Sequence, residues 1–276
     1  MDFENVLTLI QKELRDAFRN RWFLLYAIAF AGLSLALAWF SVSGAGSYGV
    51  AGVGRTTAGL INLILLIVPL MGLTLGALSL AGEREKGTLI YLLAQPISSG
   101  ELLLGKFVGL ALALTAALLI GFGLTGVMMV VAGGGGDFGI FATLMVLSVL
   151  LAIVSLSLGF LISAAVKKAA TAVGLALFLW LILVYFGDLG LMGTAVVMKL
   201  KAWQLLALAL INPLQVFKIA AVFDLRNNLE VLGPAGIYAF RTYGTTLWPL
   251  LVGLLLTWVI VPFALATQVF RKRGVI

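Results

Sequence analysis

The sequence predicts an all-α integral membrane protein with six transmembrane helices, an N-terminal amphipathic interfacial helix, a short cytoplasmic helix and a small helical outer cap between spans five and six. Three observations carry that prediction. Hydrophobic residues make up 62% of the 276 residues and charged ones only 11%, too little polar surface for a soluble domain of this size. The mean hydropathy of +1.17 points the same way. Finally, the apolar residues gather in runs long enough to cross a bilayer, and the charges lie between the runs.

At the start of the chain Phe3, Val6, Leu7, Ile10, Leu14, Ala17 and Phe18 recur at three- and four-residue steps, with Glu4, Asn5, Gln11, Lys12, Arg15, Asp16 and Arg19 elsewhere. The spacing predicts an amphipathic helix within residues 1–21, capped by Asp2 and lying on the membrane surface or against a partner. Met1 to Arg21 mixes acids and bases, unlike a cleaved secretory signal. Spans are expected at Trp22 to Phe40, Gly59 to Leu80, Leu102 to Ala132, Phe138 to Val166, Ala169 to Leu191 and Thr246 to Val269. Pro262 inside the last one is expected to kink it.

Basic residues near span ends resist translocation, so their placement sets orientation. Lys12, Arg15, Arg19, Arg21, Arg84, Lys86, Lys106, Lys167, Lys168, Arg271, Lys272 and Arg273 fall on the side of the N-terminus, against Arg55, Lys199, Lys201, Lys218, Arg226 and Arg241 on the other. Both termini are therefore expected in the cytoplasm. The outer connections Ser41 to Ala58 and Gly133 to Gly136 read as flexible loops. Residues 192–245 form the expected outer cap: a short apolar stretch Ala202 to Ile211, an Asn212-Pro213 turn, a helical pattern Leu214 to Leu225, and a Gly233-Pro234 break. Interfacial or re-entrant helices suit it, and it offers a surface to something outside the membrane.

The inner loop at 82–98 places Glu83, Arg84, Glu85 and Lys86 in succession before an apolar turn or two and a break at Pro96. That pattern predicts a short helix held parallel to the membrane. Ser98 and Glu101 have the spacing of a capping box that opens the third span. Paired small residues, Gly72 with Gly76 and Gly105 with Gly109 and Ala113, permit close helix approach, within one subunit before between two.

With neither His nor Cys, the chain has no thiolate nucleophile, no imidazole base and no zinc site of the usual kind. An intramembrane enzyme is disfavoured on that ground. A secondary transporter that runs without ATP is the other alternative, and it lacks the expected intramembrane charges and inverted repeats. No G-x-x-x-x-G-K-[ST] pattern occurs, so no P-loop nucleotide site is built here. The basic balance lacks the interleaved aromatics of a nucleic-acid face, so no nucleic-acid partner is expected.

The residues Glu83, Arg84, Glu85, Gly87, Thr88, Leu92, Pro96, Gly105 and Lys106, behind an amphipathic helix and within six spans, resemble the ABC-2 class of transporter permeases. The resemblance implies one ABC-2 type transmembrane domain over residues 1–276, with 82–98 as the coupling loop seated in a groove of a separate ATPase. Glu83, Arg84 and Glu85 would then make the polar contacts, and Leu89, Leu92 and Leu93 the apolar ones. ATP and Mg would be bound by that partner, with no cofactor in this chain. The outer segment Asn212, Pro213, Leu214, Gln215, Val216, Phe217, Lys218, with the span layout, further resembles the permeases that serve maturation of nitrous oxide reductase, a periplasmic copper enzyme. This implies a homodimer of permeases in the bacterial inner membrane, a cytoplasmic ATPase pair, and a periplasmic β-helix protein on the outer cap, contacted by Asn212, Pro213, Gln215, Phe217 and Lys218.

Five residues remain as weaker candidates. Asn62 and Asp188 sit within predicted spans, where polar groups are costly, and are candidates for a pathway. Met128, Met129 and Met145 lie toward the outer ends of their segments and carry a soft sulfur suited to Cu(I), although Met is also an ordinary packing residue.

Overall fold

The computed structural model describes residues 3–43, 49–94, 97–131, 138–187, 201–226 and 233–273; among them every regular element is helical. Helix α1 (Phe3–Arg19) breaks at Asn20 and leads into α2 (Arg21–Ser43). The Asn20 side chain caps the new helix by accepting from the Trp22 amide at 2.9 Å. Helix α3 (Gly49–Glu85) and the short α4 (Thr88–Leu93) follow. Then come α5 (Ser99–Val131), α6 (Phe138–Ala165) and α7 (Ala169–Leu181), the last running on as a π-helical turn over Ile182–Phe186. The chain closes with α8 (Ala202–Ile211), α9 (Pro213–Arg226), α10 (Gly233–Tyr243) and α11 (Leu247–Arg273).

Six segments are long and apolar enough to span a bilayer: Arg21–Phe40, Gly59–Glu85, Ser99–Val131, Gly139–Ala165, Ala169–Phe186 and Ala235–Lys272. Each overlaps one of the expected spans. One expectation fails. The Gly- and Ser-rich connection at 41–58 is not a loop throughout, because α3 already begins at Gly49. Extending a formed helix costs far less than nucleating one, so the apolar part of α3 carries its Gly-rich start with it. The Gly133–Gly136 run and Asp2 lie outside the described residues. Gly233-Pro234 opens α10, a place where the missing proline amide costs nothing.

Helix α3 packs along α6 at the centre, with α5, α7 and α11 around them and α2 alongside α5. Small residues set the distance. A Cβ added to Gly76 would stand 2.5 Å from the Leu156 carbonyl oxygen, and one added to Gly159 2.5 Å from that of Leu73. The paired glycines therefore serve contact within the subunit. Both intrahelical prolines, Pro69 and Pro262, weaken the ladder in the turn before them, and a neighbour donates to a carbonyl there. Trp180 Nε1 donates to Leu66 O at 3.0 Å, and Ser157 Oγ to Val259 O at 2.6 Å.

Helices α8 and α9 meet at 114°. Helix α9 turns back between α6 and α11, burying Val216, Phe217 and Ala220 completely. The pair is a re-entrant unit, as expected of the cap at residues 192–245, or a broken span that would add a seventh crossing.

Candidate functional site

The site is the end of α3 and the loop that follows. Its charged residues are tied to four neighbouring elements. Glu83 Oε1 accepts from Lys106 Nζ of α5 at 2.8 Å and from Lys12 Nζ of α1 at 3.3 Å. Lys106 also donates to Glu13 Oε1 at 2.7 Å and is only 1% exposed. A lysine so buried stays charged only where carboxylates compensate it, and here two do. Lys12 extends the cluster to Glu13 at 3.1 Å and to Asp16 at 3.5 Å. Partial burial works to lower the Lys12 pKa, but the Glu13 and Glu83 carboxylates outweigh it and raise it above the ordinary lysine range. Its pairing is thus fully present at neutral pH and is lost only as pH rises past that raised value.

Close approach makes the cluster possible. Gly105 and Gly109 on α5 leave room for α1, where an added Cβ would stand 2.6 Å from Leu9 Cβ and 2.7 Å from Glu13 Cβ. Lys106, between those glycines, then reaches both carboxylates. Arg84 Nη1 donates to the Val166 carbonyl at 2.7 Å just past the end of α6, where a cation also suits the helix dipole. Glu85 Oε2 accepts from the Ala169 amide at 2.7 Å, at the N-terminus of α7. A cavity of ≈ 480 Å³ opens beside the cluster, lined among others by Glu13, Asp16, Ser79, Glu83 and Lys106.

Beyond Glu85 the chain reverses through Gly87, whose φ of 73° suits glycine, and enters α4. Leu89 is fully buried and roots the helix, whereas Ile90 is 61% and Tyr91 77% exposed. Thr88 Oγ1 donates back to the Glu83 carbonyl at 3.2 Å, and Leu92 is partly buried against the core. The side chain of Leu93, and Pro96, lie outside the described residues. At Ser98 the capping box forms: its amide donates to Glu101 Oε2 at 2.9 Å, and the Glu101 amide to Ser98 Oγ at 3.2 Å.

Glu83, Arg84 and Glu85 are thus turned toward their own helices, and Ile90 and Tyr91 supply the outward apolar surface that the sequence reading had not singled out. Glu13 was also missed. A lone lysine inside an apolar span was the available signal that a carboxylate must lie opposite.

The outer candidates are more dispersed. Asn212 Nδ2 donates to the Leu183 carbonyl at 2.7 Å, and its Oδ1 accepts from the Leu214 amide at 2.9 Å. Pro213, Gln215 and Phe217 are buried and Lys218 is partly buried, so this segment mainly locks α9 against the π-helical turn that continues α7. Asn62 is exposed on α3, and Asp188 lies outside the described residues. Met145 lines an apolar cavity of ≈ 390 Å³ with Phe122, Val127, Val130 and Phe141, but Met128 and Met129 do not. The structure does not bring the three sulfurs together there.

The helical membrane bundle matches the profile of the ABC-2 family transporter proteins over residues 7–275, and the chain belongs to that family. The chain is 33% identical over 275 residues to a probable ABC transporter permease protein NosY of Stutzerimonas stutzeri, covering 97% of this chain and 98% of that one. It is likewise 33% identical over 280 residues to the NosY of Pseudomonas aeruginosa PAO1, covering 98% and 99%. The chain is accordingly a multi-pass membrane subunit of an ABC transporter.

Proposed function

We propose that the loop at 82–98 receives the motion of a separate ATPase and passes it, without chemistry of its own, through the braced helices to the outer side, in the service of nitrous oxide reductase maturation. The observation that carries this reading is the contrast within the loop. Ile90 and Tyr91 project while Leu89, Glu83, Arg84 and Glu85 hold the loop to α1, α5, α6 and α7. A push on the exposed pair is therefore delivered to packed elements and not lost in a slack loop. ATP and Mg are bound by the ATPase. Two permease copies, an ATPase pair and a periplasmic β-helix protein complete the assembly, with both permease termini cytoplasmic. The 33% identity to two NosY permeases over nearly the full length, together with the resemblance carried by Asn212 to Lys218, supports the maturation role.

Replacing Ile90 with Asp and Tyr91 with Ala tests the reading in cells that depend on this chain. Exposed aromatic and branched residues are frequent anchors of interfaces, so co-purifying ATPase is expected to fall about tenfold or more. Copper loading of nitrous oxide reductase should fall with it, at unchanged membrane insertion. Undiminished ATPase recovery overturns the coupling role, and full copper loading overturns the maturation role.

A further inference from the structure

Helix α1 carries two apolar faces, one buried against α5 and one largely exposed. Val6, Leu9 and Ala17, with Glu13, are buried against α5. Phe3, Leu7 and Phe18 form a second stripe and are 75%, 40% and 38% exposed. One edge of that stripe carries Arg15 and Arg19, a turn apart and both exposed, and exposed Arg21 follows at the start of α2; Glu4 is the one acid near that edge. Lys12 and Asp16 lie elsewhere, in the cluster around Glu83.

The stripe adjoins the exposed apolar side of the first span. Phe18 stacks edge-on against Phe23 at 5.5 Å, and exposed Trp22 lies against Tyr26 at 6.4 Å; beyond them Leu25 and Ile28 stand exposed on the first span. Trp and Tyr at a span end mark the headgroup level, which places the stripe and its arginines at the same height. Basic residues beside an apolar face at that height complement phosphate above and acyl chain below.

We infer that the outer face of α1 is a docking surface for anionic phospholipid, with Phe3, Leu7 and Phe18 in the acyl boundary and Arg15, Arg19 and Arg21 on the phosphates. Bound lipid then sets the height of α1, and through Lys12 and Glu13 that of the cluster at Glu83. This inference does not depend on the identity of the ATPase or the cargo.

The chain has no cysteine, so Leu7→Cys gives a unique site for a nitroxide on the full-length protein. The labelled chain is placed in vesicles of phosphatidylcholine, with or without about 30% phosphatidylglycerol, enough to give the leaflet a negative surface potential. In the mixed vesicles the label is expected to be accessible to oxygen and shielded from a water-soluble relaxing agent. In phosphatidylcholine alone, or with Arg15→Glu and Arg19→Glu, the water-accessible fraction should rise about tenfold. High salt should act in the same direction on the otherwise native chain, which gives a reading even if the charge reversals disturb folding. Equal accessibility in both vesicle types overturns the inference. So does a label shielded only when the ATPase is present, since the face would then belong to a protein.

Discussion

Lys106 shows how one side chain ties together the charged end of the bundle where α1, α3 and α5 meet. It is buried, charged, and compensated by Glu13 at 2.7 Å and Glu83 at 2.8 Å, carboxylates that come from sequence positions 93 and 23 residues away. Removing the partners of a buried charge typically costs about 3–5 kcal/mol, whereas removing the whole group of charges can be close to neutral. Glu13→Ala with Glu83→Ala is therefore expected to lower unfolding stability by about that amount, and adding Lys106→Met should recover most of it. Thermal unfolding in detergent measures both. If the triple variant is no more stable than the double, the loss lies in packing and not in the stranded charge.

Among the helices, the pairing of α3 with α6 leaves little room to adjust. At Gly76 the obstacle to a side chain is the backbone of α6, which cannot rotate away as a side chain could. Gly76→Val should cost at least about 1–3 kcal/mol through overpacking. Gly123, on α5, has nothing within 4 Å of an added Cβ, and Gly123→Val should be tolerated. Comparing the two variants by thermal unfolding checks the contrast, and equal losses would mean that the glycines matter through helix propensity alone. The same glycine logic places α1 on α5, where Gly105 and Gly109 let Glu13 come within reach of Lys106.

For the molecule as a whole, the 114° turn between α8 and α9 decides on which sides the ends of the chain lie. As a re-entrant unit it leaves six crossings and both termini on one side; as a seventh crossing it separates them. Single cysteines at Thr8 and Lys272, both exposed, are expected to react with an impermeant maleimide only after the cytoplasmic side is opened. Reaction of one but not the other from the outside would require seven crossings. Much of this plan was readable from residues alone. Apolar runs of spanning length are dictated by the bilayer, which demands an internally bonded helix at each, and the Ser98–Glu101 cap depends on neighbours three residues apart. The destinations of Glu83, Arg84 and Glu85 were not readable, since their charge says that a partner exists and not which helix supplies it. Glu13, Val166 and Ala169 become those partners only when α1, α6 and α7 converge on the end of α3; glycine contacts between segments far apart in the chain set α6 against α3 and α1 against α5. Local spacing specifies helices and caps because the forces behind them act within a turn; which long-range groups meet is a property of packing, and packing here gathered the charges into one brace and left Ile90 and Tyr91 outside it.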